Sequence, residues 1–132
     1  MDKEILVKKV QAALQELARE HGPIRMVMLK TIDSPATGGR PSLLVSATWL
    51  DEKSPMEAIN QIFEKLDKHL GHEVFSHIHS IVPIHTSDPF VQNIRRTWGA
   101  PKDRLELSNV NVSGTHIEIG TLLGVGSAHS SH

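Results

Sequence analysis

The stretch "SPMEAINQIFEKLDKHLG" (54–71) constrains the fold more than any other part of the chain. Ser54 suits a helix N-cap, and Pro55 the first helical position, where its missing N–H costs nothing. Glu57, three residues after the cap, completes a capping box. Met56, Ile59, Ile62, Phe63, Leu66 and Leu70 then recur at helical spacing, and Gly71 supplies the stop. A helix with one apolar face must lie against another layer. The segments on either side, "LLVSATWL" (43–50) and residues 75–85, are rich in β-formers and read as strands.

The rest of the chain follows by the same reasoning. Asp2 caps a first helix whose Leu6, Val10, Ala13, Leu14 and Leu17 make one stripe, ended by "HGP" at 21–23. "IRMVMLKTI" (24–32) reads as a strand. The turn-rich loop "DSPATGGRPS" (33–42) joins it to 43–50 as an antiparallel hairpin. Ser87 or Asp88 with Pro89 opens a helix carrying Phe90, Ile94 and Trp98, and "RLELSNVNVSGTHIEIGTLL" (104–123) reads as a hairpin turning at Ser113-Gly114. The expected order is α-β-β-α-β-α-β-β. This is an α+β two-layer sandwich, a small mixed sheet with helices on one face and the other face open. Residues 1–123 form one domain, with a core at 2–99 and the hairpin at 104–123; "GVGSAHSSH" (124–132) is expected to be a flexible tail.

Composition removes several classes of function. At 132 residues, 39% hydrophobic and 22% charged, the chain can bury a core without covalent staples. It has no cysteine, so disulfides, thiolate zinc sites, iron–sulfur clusters and cysteine nucleophiles are excluded. A net charge of -1 gives no general attraction to phosphate backbones. The first 22 residues lack the apolar run of a signal peptide. No stretch approaches the roughly 20 apolar residues of a membrane span. The expectation is a soluble cytoplasmic protein without membrane insertion.

"HLGHEVFSHIHSIVPIH" (69–85) holds five of the nine histidines. If 75–85 is one strand, alternation places Ile78, Val82 and Ile84 towards the core. His77, His79, Ile81 and His85 then face outward. Residues two apart on one face lie roughly 7 Å from each other, so His77 and His79 can share an ion. His85 lies roughly 26 Å from His77 along such a strand and cannot join them. The candidate metal set is therefore His77 and His79, assisted by His69, His72 or Asp51, with zinc or another divalent cation as the cofactor. Solvated polar positions on a half-exposed strand explain the same residues without a metal.

Other constellations are weaker. "TGGRPS" (37–42) offers glycine amides and Arg40 to a phosphate, but it lacks P-loop spacing and does not open a helix, so a flexible hairpin loop is the favoured reading. Arg95, Arg96, Lys102 and Arg104 are the residues to meet RNA if nucleic acid is the partner. No serine stands in a recognisable nucleophile motif, so no catalytic residue is put forward. Met26, Met28, Trp49 and either Ile81 or Leu43 exceed what one covered face needs. Some are expected on the open face, where a second copy would cover them in a homodimer.

With these residues in place, "SLLVSATWLDEKSPMEAINQIFEKLDKHLGHEVFSHIHSIVP" (42–83), within residues 5–85, resembles the cytoplasmic C-terminal domain of cation diffusion facilitator transporters. That resemblance implies a dimerising domain that binds divalent metal, with Ile78-His79 matching the family's strand-borne histidine and Asp51 its acidic turn. The helix reads Ala58-Ile59 where that family often has Ala-His. The element order is also similar to that of ribosome-binding factor A and KH-like modules, and residues 5–98 resemble the small nucleotidyltransferase fold. The latter would be inactive here, because Arg40-Pro41-Ser42 stands near where its aspartates would fall. The resulting expectation is a non-enzymatic binding or oligomerisation module, with an RNA- or ribosome-associated factor and an inactive nucleotidyltransferase-like protein as alternatives.

Overall fold

The computed structural model describes residues 2–32 and 34–125, so that 126–132 of the expected tail lie outside the described residues, whereas Gly124 is buried and Val125 packs on the core. The chain runs α1 (Lys3–His21), β1 (Met26–Thr31), β2 (Ser42–Ser46), α2 (Thr48–Asp51), α3 (Pro55–Leu70), α4 (Val74–His77), β3 (Ser80–Pro83), α5 (Pro89–Trp98), β4 (Arg104–Val112) and β5 (Thr115–Leu123). The strands form one mixed sheet in the order β3-β2-β1-β5-β4. β2 and β3 are parallel; every other neighbouring pair is antiparallel. The fold is α+β with an open sheet, and the C-terminal hairpin extends that sheet by pairing β5 to β1. Among the described residues, no helix is long and apolar enough to cross a membrane.

Local chemistry accounts for the helix ends. The Asp2 side chain accepts from the Glu4 amide at 2.7 Å. The capping box at α3 is complete, with the Glu57 amide donating to Ser54 Oγ at 3.2 Å and the Ser54 amide to Glu57 Oε1 at 3.0 Å. Asp88 caps α5 by accepting from the Phe90 amide at 2.9 Å.

Alternation along β1 and β2 divides the interior in two. Val27, Leu29, Leu43 and Val45 meet α1 and α3 through Leu14, Leu17, Ile62 and Leu66. Met26, Met28 and Leu44 face the other way and meet Phe90, Val91 and Ile94 of α5, together with Leu107, Ile117 and Leu122 of the hairpin. The expectation of helices on one face thus holds for α1 and α3, whereas α5 lies on the opposite face and covers part of it.

Two strand boundaries differ from the sequence reading. Residues 47–50 leave the sheet: Ser46 ends β2 and Thr48–Asp51 form the short helix α2. Trp49 there donates Nε1–H to the Gly22 and Pro23 carbonyls at 3.0 and 3.2 Å and stacks on His21. The 75–85 segment is not one strand. Val74–His77 make a helical turn, closed by the Ile78 amide on the Val74 carbonyl at 2.9 Å, and only Ser80–Pro83 are extended. Phe75, a β-former by propensity, stacks on Phe63 of α3 from within this turn, with ring centroids 5.5 Å apart.

The turn shifts the alternation. Ile78 and Ile81 both enter the α1–α3 core, and Val82 faces out at 36% exposure. The outward set of His77, His79, Ile81 and His85 is therefore corrected: Ile81 points in. Met26, Met28, Leu43 and Ile81, which were candidates for an exposed apolar face, are buried, and Trp49 is half-buried.

Candidate binding site

Because α5 covers only part of its face, a cleft of about 450 Å³ remains beside it. Leu44, Val82, Ile84 and Phe90 give it an apolar floor, and Lys30, Ser42, His85, Asp88 and Thr115 supply polar groups. β1, β2 and β3 each contribute, since residues two apart on a strand share a face. Phe90 is placed by the first turn of α5, whose cap, Asp88, also lines the cleft.

Just outside one end of the cleft, beside His85, stands Asp51. Its carboxylate, on the last residue of α2, accepts from the Thr86 amide at 3.0 Å and the Thr86 hydroxyl at 2.5 Å. His85 Nε2 lies 3.7 Å from the same carboxylate. On the other side of the ring, His85 Nδ1 accepts from the Ser87 amide at 3.1 Å and lies 2.8 Å from Ser87 Oγ. A backbone amide can only donate, so Nδ1 acts as the acceptor in this contact. The contacts with Ser87 orient the imidazole at the mouth of the cleft.

The residues put forward for a metal are divided among separate surroundings. His69 Nε2 lies 2.8 Å from Glu16 Oε2 between α3 and α1, and His72, almost fully exposed, lies 3.4 Å from Asp67. His77 ends α4 and lines a second cavity on the other side of the sheet. His79 is exposed in the link to β3, its amide donating to the Pro41 carbonyl at 2.8 Å. Asp51 is engaged with Thr86. Among the described residues, no group of three or more His, Asp or Glu is arranged to hold a metal ion.

The basic set is also dispersed. Arg95 donates to the Arg25 carbonyl at 3.0 Å, Arg96 to Asn93, and Arg104 pairs with Glu4; Lys102 is exposed. The loop amides proposed for a phosphate are used within the loop itself. Gly38, Gly39 and Arg40 N–H donate to Pro35 O, Thr37 Oγ1 and Thr37 O.

A charged seam joins α1 to α3. Glu16 accepts from Lys68 at 3.1 Å and from Lys65 at 3.4 Å, and Lys65 also reaches Glu20 at 2.5 Å. Lys68 above all, with His69 and Lys65, holds the Glu16 carboxyl down at about 2, from its ordinary 4.5.

Sequence reasoning missed Lys30, Thr86 and Phe90 as site residues. The dense capping run "HTSDPF" (85–90) signals a helix start and carries the cues for Asp88 and Phe90. Nothing in it announces that Asp51, 35 residues earlier, meets Thr86. No known family model, curated protein or solved structure matches the chain.

Proposed function

We propose that this chain is a small non-enzymatic binding module whose working surface is the cleft beside α5. The observation that supports this reading is the cleft's composition: an apolar floor of Leu44, Val82, Ile84 and Phe90 with Lys30, His85 and Asp88 around it. Apolar seats with a few placed polar groups are the usual form of small-molecule sites, and about 450 Å³ falls within their usual size. The ligand class is an organic molecule with a planar apolar body and a polar head of mixed hydrogen-bonding character. Each polar group has a positioning role: Lys30 for an anionic group, Asp88 for a donor, His85 as a hydrogen-bonding group of fixed orientation.

8-Anilinonaphthalene-1-sulfonate tests this reading, since its rings match the floor and its sulfonate matches Lys30. Its fluorescence should rise saturably with the native protein. The affinity should fall at least tenfold in Val82→Asp, a substitution at an exposed position that leaves the core intact. Unsaturable binding, or equal affinity in the variant, counts against the cleft.

Self-association is a second reading, favoured by Ile32 and Val82. Both line the cleft and are 41% and 36% exposed, so a second copy seated there would bury them. Sedimentation equilibrium separates the two readings, because a dimer weakened by Val82→Asp would make the occupant the chain itself.

A further inference from the structure

On the α1 side of the sheet, under the β1–β2 loop, lies a cavity of about 400 Å³. Three basic side chains line it from three distant parts of the chain: Lys3 at the start of α1, Arg40 in the loop and His77 at the end of α4. Three hydroxyls, Thr31, Ser76 and Thr121, join them, and that of Thr121 already donates to Glu106 Oε1 at 2.8 Å. Among the described residues, no carboxylate lines this cavity, and the one that borders it, Glu106, is engaged by Lys3 and Thr121 at its edge. The floor is apolar, formed by Leu6 and Leu29, which belong to the α1–α3 core.

The donors are held but not exhausted. Arg40 donates Nε–H to the Thr37 carbonyl at 2.8 Å and an Nη1–H to the Phe75 carbonyl at 2.6 Å. These two bonds orient the guanidinium and leave Nη2 with two N–H groups. Lys3 Nζ lies 3.1 Å from Glu106, which occupies one of its three donors. The loop's own amides are committed inside the loop, so an anion here is read by side chains and not by a backbone nest.

We propose that this cavity binds a small organic phosphate monoester. A carboxylate has two oxygens to satisfy, whereas the lining carries Arg40, Lys3, His77, Thr31 and Ser76 as donors beyond the Thr121 hydroxyl held by Glu106, enough for the three terminal oxygens of a phosphate ester. Leu6 and Leu29 seat the organic part of the ester. The site lies on the opposite side of the sheet from the α5 cleft and does not depend on it.

Phenyl phosphate is the probe, followed by calorimetry and by amide shifts of residues 38–41 and 76–77. Saturable binding is expected, weakening as salt is raised. Phenol and inorganic phosphate should each bind at least tenfold more weakly. His77→Gln and Arg40→Lys should each weaken phenyl phosphate at least fivefold. The thermal midpoint of His77→Gln should stay at the native value, since that side chain is only half-buried. 8-Anilinonaphthalene-1-sulfonate affinity at the α5 cleft should be unchanged in His77→Gln. Absence of saturable binding, or binding unchanged in both variants, overturns the assignment. Equal binding of phenol overturns its anionic part, and equal binding of inorganic phosphate overturns the role of the apolar floor.

Discussion

Gln11 Nε2 donates to the Gly124 carbonyl oxygen at 3.1 Å, deep beside the sheet. The same nitrogen lies 2.9 Å from the Asp103 carbonyl, so one buried amide ties the middle of α1 to both ends of the C-terminal hairpin. Gly124 closes the arrangement by donating its amide to Asp103 O at 2.6 Å, and it sits so near Pro101 and Lys102 that a side chain there would strike backbone. Gln11→Leu keeps most of the volume but removes the donor. It should cost about 1–3 kcal/mol, the usual penalty for leaving a buried acceptor unpaired. Urea unfolding checks this, and an unchanged midpoint would show that the hairpin is held by its strand pairing alone.

Acid should weaken the α1–α3 seam in a defined window. The folded Glu16 carboxyl is depressed from 4.5 to about 2 by Lys68, His69 and Lys65. A depressed carboxyl stabilises the fold above its unfolded value, and that contribution is lost as pH falls from about 4.5 towards 2. Urea midpoints of the native protein should therefore fall across this window. Glu16→Gln should show a shallower fall, because the remaining carboxylates alone respond.

Gly120 leaves no room for a methyl group. A Cβ there would lie 2.8 Å from Ile117 Cγ2 and 3.2 Å from the Met28 sulfur. Gly120→Ala should destabilise by about 1–3 kcal/mol through overpacking. Ile117→Val in the same chain should recover part of the loss in thermal unfolding, since it shortens a side chain in that contact.

The α5-side core should behave as a true core. Ile94 is fully buried with Phe90 and Val91 against Met26, Met28 and Leu44. Ile94→Ala should cost about 2–5 kcal/mol by lost burial and the cavity left behind. The exposed Met56, at 64%, offers the contrast: Met56→Ala should change stability by no more than about 0.5 kcal/mol.

Where local signals were strong, the sequence was readable. Ser54, Pro55, Glu57 and Gly71 mark α3 through backbone chemistry that needs no partner. Gly114, at φ of 81°, supplies the left-handed position that marks the two-residue turn, and Ser113 before it shares that region at φ of 50°. Legibility failed where tertiary contact outweighed propensity. Trp49 left a β-rich run because its indole N–H is satisfied by Gly22 and Pro23, and Phe75 entered a helical turn to stack on Phe63. Asn109, at φ of 52°, interrupts β4, so that Leu105 and Leu107 before it and Val110 and Val112 after it all face the α5-side core. Only unbroken alternation through 75–85 would align His77, His79 and His85 on one face, and the turn at Val74–His77 breaks it. The cleft was illegible for a different reason. Lys30, Leu44, Val82 and Phe90 meet only because α5 crosses to the opposite face from α1 and α3, and no residue pattern in α5 specifies which face it takes.

The most direct test is to map amide shifts in the native protein during a titration with 8-anilinonaphthalene-1-sulfonate. The largest shifts should fall on residues 30–32, 42–44, 82–85 and 88–90, which surround the cleft, while α1 and α3 stay unmoved. Shifts concentrated on α1 and α3, or spread evenly over the chain, would contradict a working surface beside α5.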